Sequence, residues 1–174
     1  MNRATKSLRL TLASLLILFT CTFATCKYGT KDASPIPQEV KTFRVSYLEN
    51  KARYVNPTIT PQVTEKLKQK IIGQTRLRQT NSDDAHYDIS GYLSDYSVTT
   101  TGIANQNATT NRLNVSFHVV FKNTLDQTKD IETDFTRNYD FEASLSLPQA
   151  EQRLAPEIIK NLVDEIFNKV FSNW

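Results

Sequence analysis

The most regular hydrophobic pattern in the chain lies between residues 111 and 121. Apolar residues there alternate with polar ones, and they are Leu113, Val115, Phe117, Val119 and Phe121. The polar residues between them are Arg112, Asn114, Ser116 and His118. Successive side chains of a strand point to opposite faces, so the pattern predicts a strand with one face in a core and one facing water.

Three further segments have the same period of two. Phe43, Val45 and Tyr47 share one face of a first strand that begins at Lys41. Residues 85–98 and 128–141 predict two more strands, and residues 122–127 form a hairpin loop between the last two. Gly91 indicates a bulge or close packing against a helix. We expect a shift of register near Arg137, where a charge interrupts the alternation.

Two segments have helical periodicity. Val63, Leu67 and Ile71 form one stripe of a helix that begins at Thr60 and ends at Gly73, which can adopt the left-handed conformation. Ser146 and Gln149 have the spacing of a capping box before a final helix. The stripe of that helix is Ile158, Leu162, Ile166 and Val170. Pro156 is expected to kink this helix or to mark its start.

The order of the predicted elements is β-α-β-β-β-α. A strand–helix–strand unit favours right-handed, parallel packing of its two strands, and hairpins then add antiparallel strands. The pattern therefore predicts an α+β fold, a two-layer sandwich with two helices on one face of a four-stranded mixed sheet. The other face of the sheet stays polar.

The N-terminus has the features of a secretory signal. Arg3, Lys6 and Arg9 precede an apolar run, Leu10 to Phe19, that is too short to span a bilayer. We expect residues 1–25 to be a lipoprotein signal peptide, residues 26–40 a flexible tether and residues 41–174 a single domain. Pro35 and Pro37 are typical of such a tether.

The two cysteines of the chain, Cys21 and Cys26, follow the apolar run. A cysteine after small residues at this place resembles the lipobox of bacterial lipoproteins, in which the thiol is acylated. Ala24 and Thr25 favour Cys26 as the lipidation site, and Cys21 is the alternative. A plain secretory signal, with the cysteines incidental or joined in a disulfide, is the other interpretation.

Charge gives no support for a nucleic-acid partner. The full chain has 21 basic and 18 acidic residues, for a net charge of +3. Residues 1–25 hold three basic residues and no acidic one, so removing them leaves 18 of each. The basic isoelectric point thus comes from the signal segment, and we expect no nucleic-acid binding.

Residue types for catalysis are sparse. His86 and His118 are the only histidines, with no cysteine near either in the sequence, and the four glycines form no phosphate-binding loop. Zinc sites and nucleophilic centres need several converging groups. We expect no catalytic residue, no metal site and no cofactor other than a covalent lipid anchor on the mature N-terminal cysteine.

Several stretches resemble the LptE family of lipopolysaccharide-assembly lipoproteins, in particular its divergent LptE-like branch. They are Cys26–Tyr28, Lys41–Asn50 followed by Lys51–Ala52, Asn111–Val115 and Ile166–Trp174. Gly29-Thr30 and Asn114 depart from the family's usual residues. The resemblance implies an outer-membrane lipoprotein without enzymatic activity, whose α+β domain plugs the lumen of an LptD-type β-barrel and assists lipopolysaccharide transport to the outer leaflet.

The resemblance suggests contact residues. Lys66, Lys68, Lys70, Arg76 and Arg78 form a basic cluster that either is a solvated surface or contacts lipopolysaccharide phosphates. The polar loop Thr99–Thr110 contains an apolar pair, Ile103 and Ala104, which we expect to contact the barrel. Arg112 and Asn114, on the polar sheet face, are further candidates for that contact. Trp174 either packs on the core or anchors a partner.

Proteins with other functions can have the same targeting signal and the same fold. A lipoprotein that regulates or activates another envelope machine, such as a cell-wall synthase, can use a similar small domain on a tether. A periplasmic hydrolase is disfavoured because no nucleophile–base pair is visible in the sequence. Co-purification with a large β-barrel rather than a peptidoglycan synthase would separate the first two interpretations.

Overall fold

The computed structural model of the chain describes residues 36–104 and 107–171. The two cysteines, Cys21 and Cys26, and Trp174 lie outside this part, so the predicted lipidation site stays a prediction. In chain order the described residues form β1 (Thr42–Val45), β2 (Glu49–Asn50), α1 (Ile59–Gln74), β3 (Arg78–Gln79), β4 (Tyr87–Ala104), β5 (Asn107–Asn123), β6 (Ile131–Glu142) and α2 (Leu147–Phe171), with a short 3-10 helix at Gln127–Lys129.

The predicted fold class is confirmed. The strands lie in the order β3-β1-β4-β5-β6, with β2 also beside β4. β1 and β2 pair with β4 in parallel, whereas β4, β5 and β6 are antiparallel neighbours, so the sheet is mixed. It has six strands rather than four. The two extra strands have two residues each, which is too short for a periodic pattern.

The core lies between the sheet and the two helices. All five apolar residues of the inner face of β5 are fully buried, as the alternation predicts. The predicted helix stripes are buried too: Val63, Leu67 and Ile71 on α1, and Ile158, Leu162, Ile166 and Val170 on α2. At about 25 cal/mol per Å² of apolar surface, this burial is the main stabilising contribution to the fold.

The core also includes residues that precede the first strand. Ile36 and Val40 are buried with the core residues of the sheet and helices. Arg76 donates hydrogen bonds from Nη2 to the carbonyl oxygens of Ile36, at 2.6 Å, and Pro37, at 2.5 Å. The last residues assigned to the tether are therefore held against the domain.

The first strand is shorter than predicted. β1 ends at Val45, and the backbone N–H of Ser46 then donates a hydrogen bond to the carbonyl oxygen of Ile89 at 2.9 Å. The Tyr47 side chain is 66% exposed, whereas the next residue, Leu48, is buried in the core. The prediction that Tyr47 shares the inner face was wrong because the alternation ends with the strand.

The predicted shift of register near Arg137 was also wrong. β5 and β6 pair without interruption, with Val115 opposite Arg137 and Phe117 opposite Phe135. Arg137 lies in the inward row of β6, but its guanidinium forms an ion pair with Glu165 of α2. A long side chain at the margin of the core can place its charge in solvent without disturbing the strand.

The ends of the helices differ from the prediction in detail. α1 begins at Ile59, one residue before Thr60, and continues through Gly73 to Gln74. It ends at Thr75, which is extended and donates from both N–H and Oγ1 to the carbonyl of Ile71, so no left-handed glycine terminates it.

α2 begins at the predicted capping box. The Ser146 N–H donates to Oε1 of Gln149 at 3.0 Å, and the helix starts at the next residue, Leu147. Pro156 lies inside the helix and does not mark its start.

Gly91 marks a close backbone approach within the sheet. A Cβ atom at this position would lie 2.3 Å from the carbonyl oxygen of His118 on β5. The neighbour is thus a strand and not a helix. A register shift between Leu93 and Asp95 lies a few residues farther along β4. The expected packing of Gly91 against a helix was therefore wrong, and the bulge of this strand lies beyond Gly91, which itself pairs in register with Val119.

Candidate functional site

The predicted polar loop Thr99–Thr110 is mostly β-hairpin, so its assignment as a loop was wrong. β4 continues to Ala104 and β5 begins at Asn107, with Ile103 opposite Ala108. Threonine is β-branched and favours strands, although a run of threonines lacks the apolar alternation that reveals one. The Thr100 hydroxyl also donates to Oδ1 of Asn111 across the strands, at 3.2 Å.

The end of this hairpin extends past the third strand. The last pair between β5 and β6 is Thr110 with Glu142, so only two strands continue beyond it. Register shifts between Thr100 and Gly102 and between Gly102 and Ile103 interrupt the ladder there, and such irregularities bend a ribbon. We call residues 101–104 and 107–109 the hairpin tip. The side chains of Ile103 and Ala104 are outside what the structure describes, although their backbone places them in the tip.

The outward-facing side chains of β4, β5 and β6 form a polar surface, here called the open face. Arg112 donates from Nε and Nη2 to the two carboxylate oxygens of Asp140, at 2.6 and 2.9 Å. This pairing raises the pKa of Arg112 and lowers the pKa of Asp140. Asn114 donates to the hydroxyl of Thr99 at 3.3 Å. The two candidate contact residues thus lie together on the open face, each with a cross-strand partner.

His118 lies near the middle of the open face. Its Nδ1 is 2.9 Å from Asp134 and its Nε2 is 3.2 Å from Glu132, both on β6. The imidazole stacks on Tyr92 of β4 with 4.8 Å between ring centroids, and Lys51 covers that tyrosine ring at 4.2 Å. These neighbours on β4 and β6 leave the His118 side chain only 14% exposed. The open face thus contains stacked rings as well as charged side chains.

A second ionic group lies where β1 meets β4. Arg44 donates to both carboxylate oxygens of Asp88, at 3.0 and 2.8 Å, and also pairs with Asp83. These hydrogen bonds raise the pKa of Arg44, with Asp88 as the main cause. Sequence reasoning missed this pair, although adjacent outward positions on two parallel strands could have indicated it.

The predicted basic cluster is not assembled into one anion site. Lys68 pairs with Glu65 at 2.9 Å, and Lys70 pairs with Asp164 of α2 at 2.6 Å. Arg76 is bonded to the carbonyls of Ile36 and Pro37, as described above. The two remaining members are Lys66 and Arg78, which are exposed and form no ion pair with a described residue.

Residues 36–104 and 107–171 contain neither a metal-ligand cluster nor a membrane-spanning helix. No three His, Cys, Asp or Glu residues among them are arranged so that they could hold a metal ion. His86 accepts a hydrogen bond from the backbone N–H of Lys41 at 3.0 Å, which gives it a structural contact. Within the same residues, no helix has the length and hydropathy needed to cross a bilayer.

Comparison with solved structures identifies the fold in known lipoproteins. A minor lipoprotein from Acinetobacter baumannii superposes with a TM-score of 0.51 at 15% identity, over 77% of this chain and 94% of that one. An uncharacterised lipoprotein B from Nitrosomonas europaea superposes with a TM-score of 0.51 at 14% identity, over 79% of this chain and 89% of that one. At such identities the likeness establishes the fold alone.

Sequence comparison identifies the family. No curated protein matches the chain. The model of the LptE family, described as lipopolysaccharide-assembly, matches residues 40–170, which include every strand and all but the last residue of α2. LptE proteins are envelope lipoproteins without enzymatic activity. The chain belongs to the LptE family of lipopolysaccharide-assembly proteins.

Proposed function

We propose that this protein is an outer-membrane lipoprotein that forms a stable one-to-one complex with an LptD-type β-barrel and assists lipopolysaccharide transport to the outer leaflet. The observation that carries the proposal is the family match across the whole folded domain. The domain performs no catalysis in this proposal, and its role is to occupy the barrel lumen and support the barrel's assembly.

The proposed membrane attachment is a lipid on Cys26, with Cys21 as the alternative. The first described core residue, Ile36, lies ten positions after Cys26. An extended chain spans at most about 3.6 Å per residue, so the lipid would hold that end of the domain within about 36 Å of the membrane. Replacing Cys26 with serine should abolish acyl labelling, and retained labelling would favour Cys21 or remove the lipoprotein interpretation.

Two surfaces are suited to the barrel. The stripes of both helices are buried in the core, so they are not available to a partner. The open face carries hydrogen-bonding side chains that pair among themselves, such as Ser116 with Thr136 at 2.8 Å. Polar, water-filled lumens are typical of large outer-membrane barrels. We therefore infer that the barrel contacts the open face, including Arg112 and Asn114, and the hairpin tip with Ile103 and Ala104.

Direct contact with lipopolysaccharide phosphate is proposed only for part of the basic cluster. A phosphate would need cations that are not already engaged, and Lys66 and Arg78 meet that condition among the described residues. Lys68, Lys70 and Arg76 would have to give up existing partners first. Exposed cations bind phosphate through charge-assisted hydrogen bonds, so Lys66→Ala with Arg78→Ala is the informative double variant.

The test of the proposed function is affinity purification of the tagged, full-length protein from detergent-solubilised membranes, followed by mass spectrometry. We expect a large β-barrel in a one-to-one ratio. Depletion of the protein should reduce the barrel and hold lipopolysaccharide back from the cell surface. A normal barrel and normal surface lipopolysaccharide, together with failing cell-wall synthesis and a co-purified peptidoglycan synthase, would contradict the proposal.

A further inference from the structure

The last strand of the sheet has a long edge without a described partner. β6 pairs with β5 along residues 131–142, and no described strand pairs with its other side. The strand contains no proline or glycine, and its register is unbroken. An edge of this kind presents unpaired backbone N–H and C=O groups that accept another strand.

The inner side of this edge is apolar over its first half. Ile131 and Phe135 are partly buried and pack against the core, and the Phe135 ring lies 5.9 Å from that of Phe117. Thr133 lies between them on the same face. This half-exposed row ends at Arg137, whose charge pairs with Glu165. The segment whose inner side is free of charge is therefore six residues long, 131–136, which is the usual length of a strand.

The outer side of the same six residues is acidic. The side chains of Glu132 and Asp134 are each 73% exposed, and both lie next to His118. One imidazole carries at most one positive charge, so the group of three retains at least one negative charge when both carboxylates are ionised. A cation on a neighbouring strand would meet this charge directly.

We propose that residues 131–136 of β6 bind an extended segment of another protein in which basic and apolar residues alternate. The apolar side chains of that segment cover Ile131 and Phe135, its basic side chains face Glu132 and Asp134, and its backbone continues the sheet. A second copy of this chain fits poorly, because pairing two such edges brings like charges together across the strands. This inference does not depend on the proposed barrel partner.

The test uses the full-length protein in detergent micelles and two capped peptides, Lys-Val-Lys-Val-Lys-Val-Lys and its counterpart with glutamate in place of lysine. Hydrogen exchange followed by mass spectrometry reports protection, and fluorescence anisotropy reports affinity. We expect the lysine peptide to protect residues 131–136 and the glutamate peptide not to do so. No protection, equal binding of both peptides or protection confined to another segment would overturn the proposal.

Charge reversal of the edge supplies the matched variants. The double substitution Glu132→Lys and Asp134→Lys should weaken binding of the lysine peptide about tenfold, since two exposed ion pairs become repulsive. Glu142→Lys reverses a single charge on the same face of β6 but beyond residue 136, so it should leave binding unchanged, and each of the single variants Glu132→Lys and Asp134→Lys, which are matched to it in charge, should weaken binding. If the double variant loses its melting transition, Glu132→Gln replaces it, with an expected fall of about twofold.

Two results would contradict this account. Unchanged affinity in the charge-reversed protein would show that the acids take no part in recognition. Concentration-dependent self-association with protection of residues 131–136 in the absence of peptide would show that a second copy occupies the edge instead.

Discussion

The two faces of strand β5 differ in what they contribute to the molecule. The inner face, from Leu113 to Phe121, is fully buried beneath the helices and has no surface left for a partner. The outer face, from Arg112 to His118, consists of polar side chains that bond to neighbouring strands and remain near water. One strand therefore provides stability on one side and, on the other, the surface that we propose for recognition.

The physical chemistry of the two faces predicts a large difference in their sensitivity to mutation. Removing a buried aromatic side chain creates a cavity and costs about 3–5 kcal/mol. Removing one partner of an exposed pair costs about 0–1 kcal/mol. Changes on the open face should thus alter partner binding while the domain stays folded, and changes on the inner face should unfold it.

The largest effect is expected for Phe117→Ala. The ring is fully buried next to Phe135, so its loss should lower the free energy of unfolding by about 3–5 kcal/mol. Ser116→Ala on the same strand is the matched control, with an expected change below about 1 kcal/mol. Denaturant unfolding measures both. A loss under about 1 kcal/mol for Phe117→Ala would remove the distinction between the faces.

A smaller loss is expected for Gly91→Ala. The added methyl group would lie 2.3 Å from the His118 carbonyl oxygen, so β4 and β5 must move apart. Overpacking of this kind typically costs about 1–3 kcal/mol. Gly73→Ala is the control, because no atom lies within 4 Å of a Cβ there and the residue is in α1. It should stabilise the protein by about 0.5–1 kcal/mol, and the opposite signs would be measured as shifts in melting temperature.

The sequence predicted the inner face better than the outer one for a physical reason. Burial imposes a period that is visible within a few residues, as in Val115, Phe117 and Val119. The partners of the outer face are distant in sequence, and Lys70 with Asp164 shows the same limitation on the helices. The threonines of the hairpin show no such period, because pairing between strands, and not burial, places them in the sheet.

The basic cluster illustrates how sequence proximity can mislead. Five cations within thirteen residues suggest one site, but Lys66 and Lys68 are two positions apart on a helix and point in different directions. Ion pairs and backbone contacts then occupy three of the five. A sequence alone does not contain the positions of Asp164 and Ile36 relative to α1, so it could not reveal this division.

A pH-dependent effect of at most about 1 kcal/mol is expected for Asp164→Asn. Hydrogen bonds from Lys70 and then Lys160 lower the pKa of Asp164. A carboxyl whose pKa is lower in the folded state contributes stability above its unfolded-state pKa, and that contribution is lost as the pH falls through the folded-state pKa.

The difference in unfolding free energy between wild type and Asp164→Asn should therefore be present at neutral pH and shrink in acid. Denaturant titrations at a series of pH values measure it. Asp84→Asn, an exposed change without an ion pair to a described residue, is the control and should give no such trend. A difference that grows on acidification would contradict the assignment of this pair.

Site-specific photocrosslinking in cells tests the central claim most directly, because it reports which face of the folded domain meets the partner. Crosslinkers are placed at Ile103 in the hairpin tip, at Thr136 on the open face and at Gln69 on the exposed side of α1. The account predicts that the first two positions crosslink to one large β-barrel and that the third does not. Crosslinks to a barrel from Gln69 alone, or from the first two positions only to a peptidoglycan synthase, would contradict it.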